Sequence, residues 1–311
     1  MTDTKIASGT PLVIAAHGTR DESGVAECRA LAERVANKLP DVPVELGFVE
    51  LAEPKIPEAV QAAVAQAPGV SEEPTEGEQP VSAVVVPLMF NTGGHVREDI
   101  PEAIDEGRGG ARVAYSAPLL PDVRMRKALD RRLAETLAAG EGREQWRARD
   151  TAVVLVGRGA LVADANASHY TLTRMFWEEN DLARVEPAFI QVTRPSVPEA
   201  LTALHAQGAQ QIVVQGNFLF PGLLHVWMTE QVQAWQASHP GVEIRIAPVI
   251  GDCDEVAEVV VDRYREPLDE VGLGEGAPVY MSGLRLQGRT VLVVGAGHVA
   301  ERRVARLLDA G

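Results

Sequence analysis

VVVPLMFNTGGHVREDIP, residues Val84–Pro101, opens with an apolar β-branched run, breaks at Asn91-Thr92-Gly93-Gly94, and sets His95 at the start of an amphipathic segment. Such a run reads as a buried strand. The break then delivers one imidazole to the carboxyl edge of a sheet, where open α/β sheets bind their ligands. The chain repeats the stretch: NFLFPGLLHV, Asn217–Val226, matches PLMFNTGGHV when Phe220 is laid on Phe90 and His225 on His95, an offset of 130 residues.

Upstream, PLVIAA (Pro11–Ala16) is a short strand ending at His17-Gly18-Thr19, and Val25, Cys28, Leu31 and Val35 follow at helical spacing. A second strand over about residues 42–49 ends at Glu50, and Pro54 and Pro57 introduce a helix. GVSEEPTEGEQP is an acidic, Gly/Pro-rich loop; the Val84 strand comes next, then a fourth strand over about residues 111–116 and a long helix. From Thr151 the programme restarts. VVLVGRG (Val153–Gly159) lies on VIAAHG at an offset of 141, taking His17 to Arg158 and Glu50 to Gln191. The later drop to 130 is absorbed by the acidic loop of the first half, and loops tolerate such indels cheaply.

The expected fold class is α/β: two tandem duplicated parallel-sheet domains, flavodoxin-like or Rossmann-like, with a cleft between them. The expected bounds are 1–145 for the first half and 150–268 for the second, degenerate half. A linker spans 269–283, and an incomplete Rossmann β-α unit occupies 284–311. In that tail VLVVGAGHVAERRVARLLDAG carries Gly295, Gly297 and Ala300, the start of a dinucleotide-binding turn. The sequence stops at Gly311, before a second strand or a ribose-binding acid. One strand and one helix cannot bury a core, so the tail is expected to be a truncated, inert domain that would bind NAD only if complete.

Composition narrows the classes. Of 311 residues 46% are hydrophobic, enough for real cores, and 29 basic against 44 acidic residues leave a net charge of −15. That balance argues against nucleic acid or an anionic membrane as partner. The apolar runs are strand-length and the N-terminus lacks an apolar signal core, so a cytoplasmic protein without membrane spans is expected. Cys28 and Cys253 read as buried thiols rather than a disulfide. His169, His205 and His239 fall in polar helical stretches and are expected to be solvated. Composition does not set the oligomeric state.

Superposing the halves isolates the chemistry. His17, Glu50 and His95 end three strands of one sheet, and two nitrogens with an oxygen suit a borderline divalent ion such as Fe²⁺, Co²⁺, Ni²⁺ or Zn²⁺. In the second half Arg158 and Gln191 replace two of the three, and a guanidinium cannot ligate a cation. Each histidine read alone would be an ordinary hydrogen-bonded turn residue; their convergence on one edge makes the metal reading. Arg20, Arg97, Arg158 and Arg194 lie near these edges and could hold ligand carboxylates bidentately, with His225 lining the cleft; each arginine has a surface ion pair as its bland alternative.

HG at His17-Gly18, the F-x-E-x-A-x-P-x-I-P run of Phe48–Pro57 and the PL-x-F-x-x-GGHVREDIP run of Pro87–Pro101 resemble the sirohydrochlorin chelatases, the class II chelatase family. GRGALVADAN in the second half is similar to the degenerate half of its long, two-domain members. The resemblance covers about residues 10–265. It implies a lyase that inserts a divalent metal into sirohydrochlorin, an eight-carboxylate tetrapyrrole, without a nucleotide. His17, Glu50 and His95 would bind the metal, with His17 and His95 accepting protons. The tail LRLQGRTVLVVGAGHVAERRVARLLDAG resembles the opening of precorrin-2 dehydrogenase, which makes sirohydrochlorin with NAD⁺. That fusion tilts the expected metal to Fe²⁺ and the product to sirohaem. Co²⁺ insertion for cobalamin synthesis is the alternative, and a non-catalytic tetrapyrrole or metal carrier is the second.

Overall fold

The computed structural model describes residues 9–68, 80–90, 93–120, 122–138 and 144–271. One compact unit, Ala7–Tyr264, contains both halves of the duplication. The linker from residue 272 and the Gly295, Gly297 and Ala300 turn lie outside the described residues.

The first half runs β1 (Leu12–Ala16), α1 (Glu22–Lys38), β2 (Val44–Phe48), α2 (Ile56–Ala65), β3 (Ala83–Pro87), a π-helical turn (His95–Asp99), α3 (Ile100–Gly107), β4 (Val113–Tyr115) and α4 (Val123–Ala138). The second runs β5 (Ala152–Gly157), α5 (Ala163–Glu179), β6 (Arg184–Phe189), α6 (Val197–Ala206), β7 (Gln211–Gly216), α7 (Leu223–Ala237), β8 (Glu243–Ile246) and α8 (Asp254–Val271). Each half is a four-stranded parallel sheet, in the orders β2-β1-β3-β4 and β6-β5-β7-β8. Every residue of β1, β3 and β5 is buried, which is why these strands read as continuous apolar runs: helices cover both faces of a parallel sheet. Alternate strand residues divide between the faces. Val13, Ala15, Ala83 and Val85 pack on Ile56, Val60, Ile100 and Ile104 of α2 and α3.

The pairing register refines the alignment of the halves. The β1–β2 and β5–β6 pairs superpose at 141, since Leu12 pairs with Val44 and Val153 with Val185. Val85 pairs with Tyr115, and Val214 pairs with Ile246. The amides of Leu88 and Asn217 reach the equivalent carbonyls of Ala15 and Val156. Laying Phe220 on Phe90 is therefore one residue out of register: Leu88 corresponds to Asn217, and the second half has one extra residue between strand and histidine. A single-residue slip exchanges the two faces of a strand, so the hydrogen bonds decide the matter where residue likeness could not.

The last helices cross over. Leu129 of α4 offers its carbonyl to the buried Gln215 side chain of β7, and Arg245 of β8 donates to the carbonyls of Thr136 and Leu137. In return, α8 lies against the first half. Lys38 of α1 pairs with Asp254 and Glu258, and the buried Tyr264 hydroxyl donates to the Thr10 carbonyl just ahead of β1. Arg34 grips Asp252 with two nitrogens, at 2.6 and 2.8 Å.

Cys28 and Cys253 are free and buried, and burial pushes the Cys28 thiol up to about 12. His169 corrects an expectation. It is buried, not solvated, with its ring packed on Gly157 and Nε2 donating to the Leu155 carbonyl. A histidine on the inner stripe of an otherwise polar helix was masked by its polar neighbours. No helix among the described residues is long and apolar enough to cross a membrane.

Candidate functional site

In the order β2-β1-β3, the chain leaves β1 toward one side of the sheet and β3 toward the other, so the carboxyl ends of β1 and β3 flank a topological switch point. His17 follows β1, Glu50 follows β2 and His95 opens the turn after β3.

The loops after β1 and β2 are strapped together. Val49 N–H donates to the Ala16 carbonyl and Glu50 N–H to the His17 carbonyl. Gly18 has φ +92, and a Cβ there would meet the Glu50 carbonyl oxygen at 1.8 Å. Only glycine permits that approach, which explains the His-Gly pair physically. The second half keeps the device without the histidine and the glutamate. Gly159 has φ +89 under the Gln191 carbonyl, and Leu51 and Val192 share left-handed backbones at φ 64 and 71.

The structure brings the three side chains to one place. The rings of His17 and His95 meet edge to face, centroids 4.6 Å apart at 86°. His17 Nε2 lies 3.9 Å from Glu50 Oε1, and its Nδ1 is 3.1 Å from the Gly18 carbonyl. The three do not form a closed chelate: among the described residues no group of three His, Cys, Asp or Glu side chains is gathered to hold an ion. Two donors sharing one tetrahedral first-row ion sit about 3.3 Å apart. His17 Nε2 and Glu50 Oε1, at 3.9 Å, stand farther apart than that. An open cup of this kind suits an ion that is taken up and handed on.

His95 Nδ1 is engaged by the Asp99 carboxylate, four residues on. The sequence reading missed Asp99, although an acid four residues after a histidine at a helix start was a visible signal.

The arginines are dispersed. Arg20, Arg97 and Arg158 are exposed at the three loop edges. Arg194, whose side chain is 85% exposed, pairs with Glu199 at 2.9 Å, inside the capping box that starts α6. Arg20 and Arg29 line an open recess of about 630 Å³ between α1 and the loop after Glu50. That recess flanks the His17–Glu50 pair and does not reach His95. His225 is half-buried, burial holds its imidazole below the ordinary range, and its Nδ1 has no partner. Its loop touches the first half, where a Cβ on Gly24 would meet the Pro221 carbonyl oxygen at 2.5 Å.

A second feature also escaped the sequence. The carboxyl edge of the second sheet carries exposed Leu161, Val162, Val192, Leu223, Val226 and Trp227. Leu161, Val162 and Trp227 stand where the first half has Arg20, Asp21 and Arg97. The edge that carries Arg158 and Gln191 thus sets exposed apolar side chains where the first half has charged ones.

With this geometry in place, comparison with known proteins gives a consistent result. The CbiX family model matches residues 11–136 and again 152–267. The NAD_binding_7 model, described as NAD(P)-binding, matches residues 283–311. A sirohydrochlorin cobaltochelatase of Priestia megaterium is 30% identical over 256 residues, 81% of this chain and 78% of that protein. A sirohydrochlorin ferrochelatase of Bacillus subtilis strain 168 is 27% identical over 254 residues, 80% of this chain and 88% of that protein. Among solved structures, SirB from Bacillus subtilis with Fe³⁺ superposes with a TM-score of 0.67 at 24% identity, over 84% of this chain and 96% of that one.

Proposed function

The chain belongs to the CbiX family, and we propose that it is a sirohydrochlorin chelatase whose metal substrate is Fe²⁺, held by His17, Glu50 and His95. The observation that carries the reading is the convergence of two imidazoles and a carboxylate at the switch point of the first sheet only. Curated relatives named as sirohydrochlorin chelatases align over most of both halves.

The macrocycle is a flat ring edged with carboxylates. An apolar edge bearing Trp227 and Leu161 fits its face, and Arg20, Arg97 and Arg158 fit its rim. Insertion removes two pyrrole N–H protons as M²⁺ enters, so the ring changes by M²⁺ gained and two H⁺ lost. A neutral imidazole is a suitable acceptor near neutral pH. His17 and His95 release the ion as they take up or relay those protons, and Glu50 keeps the cup anionic until the ion has left.

Iron is supported by the NAD(P)-binding match in the tail, which resembles the dehydrogenase that produces sirohydrochlorin. Cobalt is the second reading, favoured by the cobaltochelatase relative at 30% identity. The deciding experiment follows the absorbance of anoxic sirohydrochlorin with substoichiometric protein and equal Fe²⁺ and Co²⁺. Many turnovers with Fe²⁺ preferred support the proposal, and preference for Co²⁺ replaces the metal. A single stoichiometric binding event, without turnover, overturns the enzyme reading in favour of a carrier.

A further inference from the structure

We propose that Asp99 is a positioning residue that fixes the ring of His95 so that Nε2 faces the metal ion. The inference rests on the reading of His95 as a metal-holding residue and adds to it the group that aims the ring.

Three observations carry it. First, His95 and Asp99 are the ends of a single π-helical turn, closed by the Ile100 N–H donating to the His95 carbonyl. Residues four apart on a helical turn lie on one face. His95 Nδ1 and Asp99 Oδ2 are hydrogen-bonded across it. A carboxylate only accepts, so Nδ1 carries the proton and Nε2 keeps its lone pair. Second, Asp99 has helical backbone angles, φ −66 and ψ −42, where the π turn runs straight on into α3, and its carboxylate makes no bond to a helix N–H. Its side chain turns back to the imidazole instead. Third, the duplication supplies an internal control. At the same offset that takes His95 to His225, Asp99 becomes Thr229. The Thr229 hydroxyl donates to the His225 carbonyl, and His225 Nδ1 is left without a partner. The copy that lost its ligand residues has also lost the carboxylate behind its histidine.

His17 differs in kind. Its Nδ1 meets only the neutral carbonyl of Gly18. The two imidazoles both offer Nε2, but only His95 is backed by an anion. Carboxylates behind metal-binding histidines orient the ring, and their loss costs about 10- to 100-fold in metal affinity.

The test measures Co²⁺ binding to the full chain without tetrapyrrole, by its visible absorption, and then KM for metal and for sirohydrochlorin separately. Asp99→Asn and Asp99→Ala are expected to weaken Co²⁺ binding at least about tenfold and to raise the metal KM alike. KM for sirohydrochlorin stays within about twofold, and Asp99→Glu recovers part of the loss. Long-range ¹H–¹⁵N correlation is expected to show His95 as the Nδ1–H tautomer in the wild type and as a mixture in Asp99→Ala. Asp99 is part-exposed, and the near-isosteric Asp99→Asn guards against a folding artefact. Unchanged Co²⁺ affinity in both variants overturns the inference, as does an equal rise in both KM values. His95→Ala separates the two levels: if it too binds Co²⁺ normally, the site reading itself fails; if it alone loses Co²⁺, only the role of Asp99 does.

Discussion

Gly18 lies so close beneath the carbonyl of Glu50 that a methyl group in place of its hydrogen would sit 1.8 Å from the oxygen. The obstacle is backbone, held by the Glu50 N–H to His17 carbonyl bond, so a flexible side chain cannot swing away to relieve it. Gly18→Ala must separate the two loops that bring His17 and Glu50 together, and it also forces φ +92 on an L-residue. A loss of at least about 2 kcal/mol of stability is expected, with metal insertion reduced at least about tenfold. Gly159→Ala meets the equivalent Gln191 carbonyl at 2.0 Å and should cost similar stability with a smaller effect on metal KM. Denaturant melts and initial rates on both variants check the pair.

The two imidazoles are expected to be indispensable to turnover and dispensable to folding. His17→Ala and His95→Ala should each cut sirohydrochlorin metallation by about 10² or more while the circular dichroism melt stays near that of wild type, because neither ring belongs to the buried core. Near-normal turnover in both variants would remove the metal assignment.

Substitutions that remove apolar surface from the second sheet's edge should act on the organic substrate alone. Leu161, 94% exposed, and Trp227, 39% exposed, can be changed without opening a core cavity. Leu161→Asp and Trp227→Ala are expected to raise KM for sirohydrochlorin several-fold, about 1 kcal/mol each, and to leave Co²⁺ binding unaltered. A variant that instead changes the sedimentation coefficient, with KM unmoved, would mark the edge as a contact between copies.

Burial holds the His169 imidazole below its ordinary range. The unfolded chain therefore takes up a proton, at about pH 6.5 and below, that the folded state resists. Stability from this group is complete above that pH and is lost as pH falls through the depressed folded value. His225 contributes with the same sign. His169→Gln should be less stable than wild type at about pH 7.5 and lose less on acidification to about pH 5.5. Thermal melts at the two pH values decide; an unchanged drop would refute it.

Much of the architecture could be read directly from the chain, because parallel strands buried on both faces leave unbroken apolar runs such as Val84–Val86, and because β1, β3, β5 and β7 each run into a glycine-containing break. His17, Glu50 and His95 were legible for the same reason: they close those runs. What stayed hidden depends on three-dimensional pairing. The one-residue slip between Phe90 and Phe220 is decided by hydrogen bonds. His169 hides its burial among polar helix neighbours, and Asp99 looks like any helix-entry acid until its side chain is seen to turn back. The apolar edge was invisible because Leu161, Val162, Val192 and Trp227 come from three separate stretches of chain, the last of them inside α7, each unremarkable alone.

The crossing of α4 and α8 leaves this chain with no disposable half. Remove the second copy, and Lys38, Arg34 and the Thr10 carbonyl all lose the partners that α8 and its approach supply; remove the first, and Gln215 faces nothing. Mutual dependence of that sort relaxes selection on chemistry while tightening it on shape. Such mutual dependence accounts for a trailing copy that carries Arg158 and Gln191 where the leading one has His17 and Glu50, sets oily side chains at its rim, and still matches it almost helix for helix.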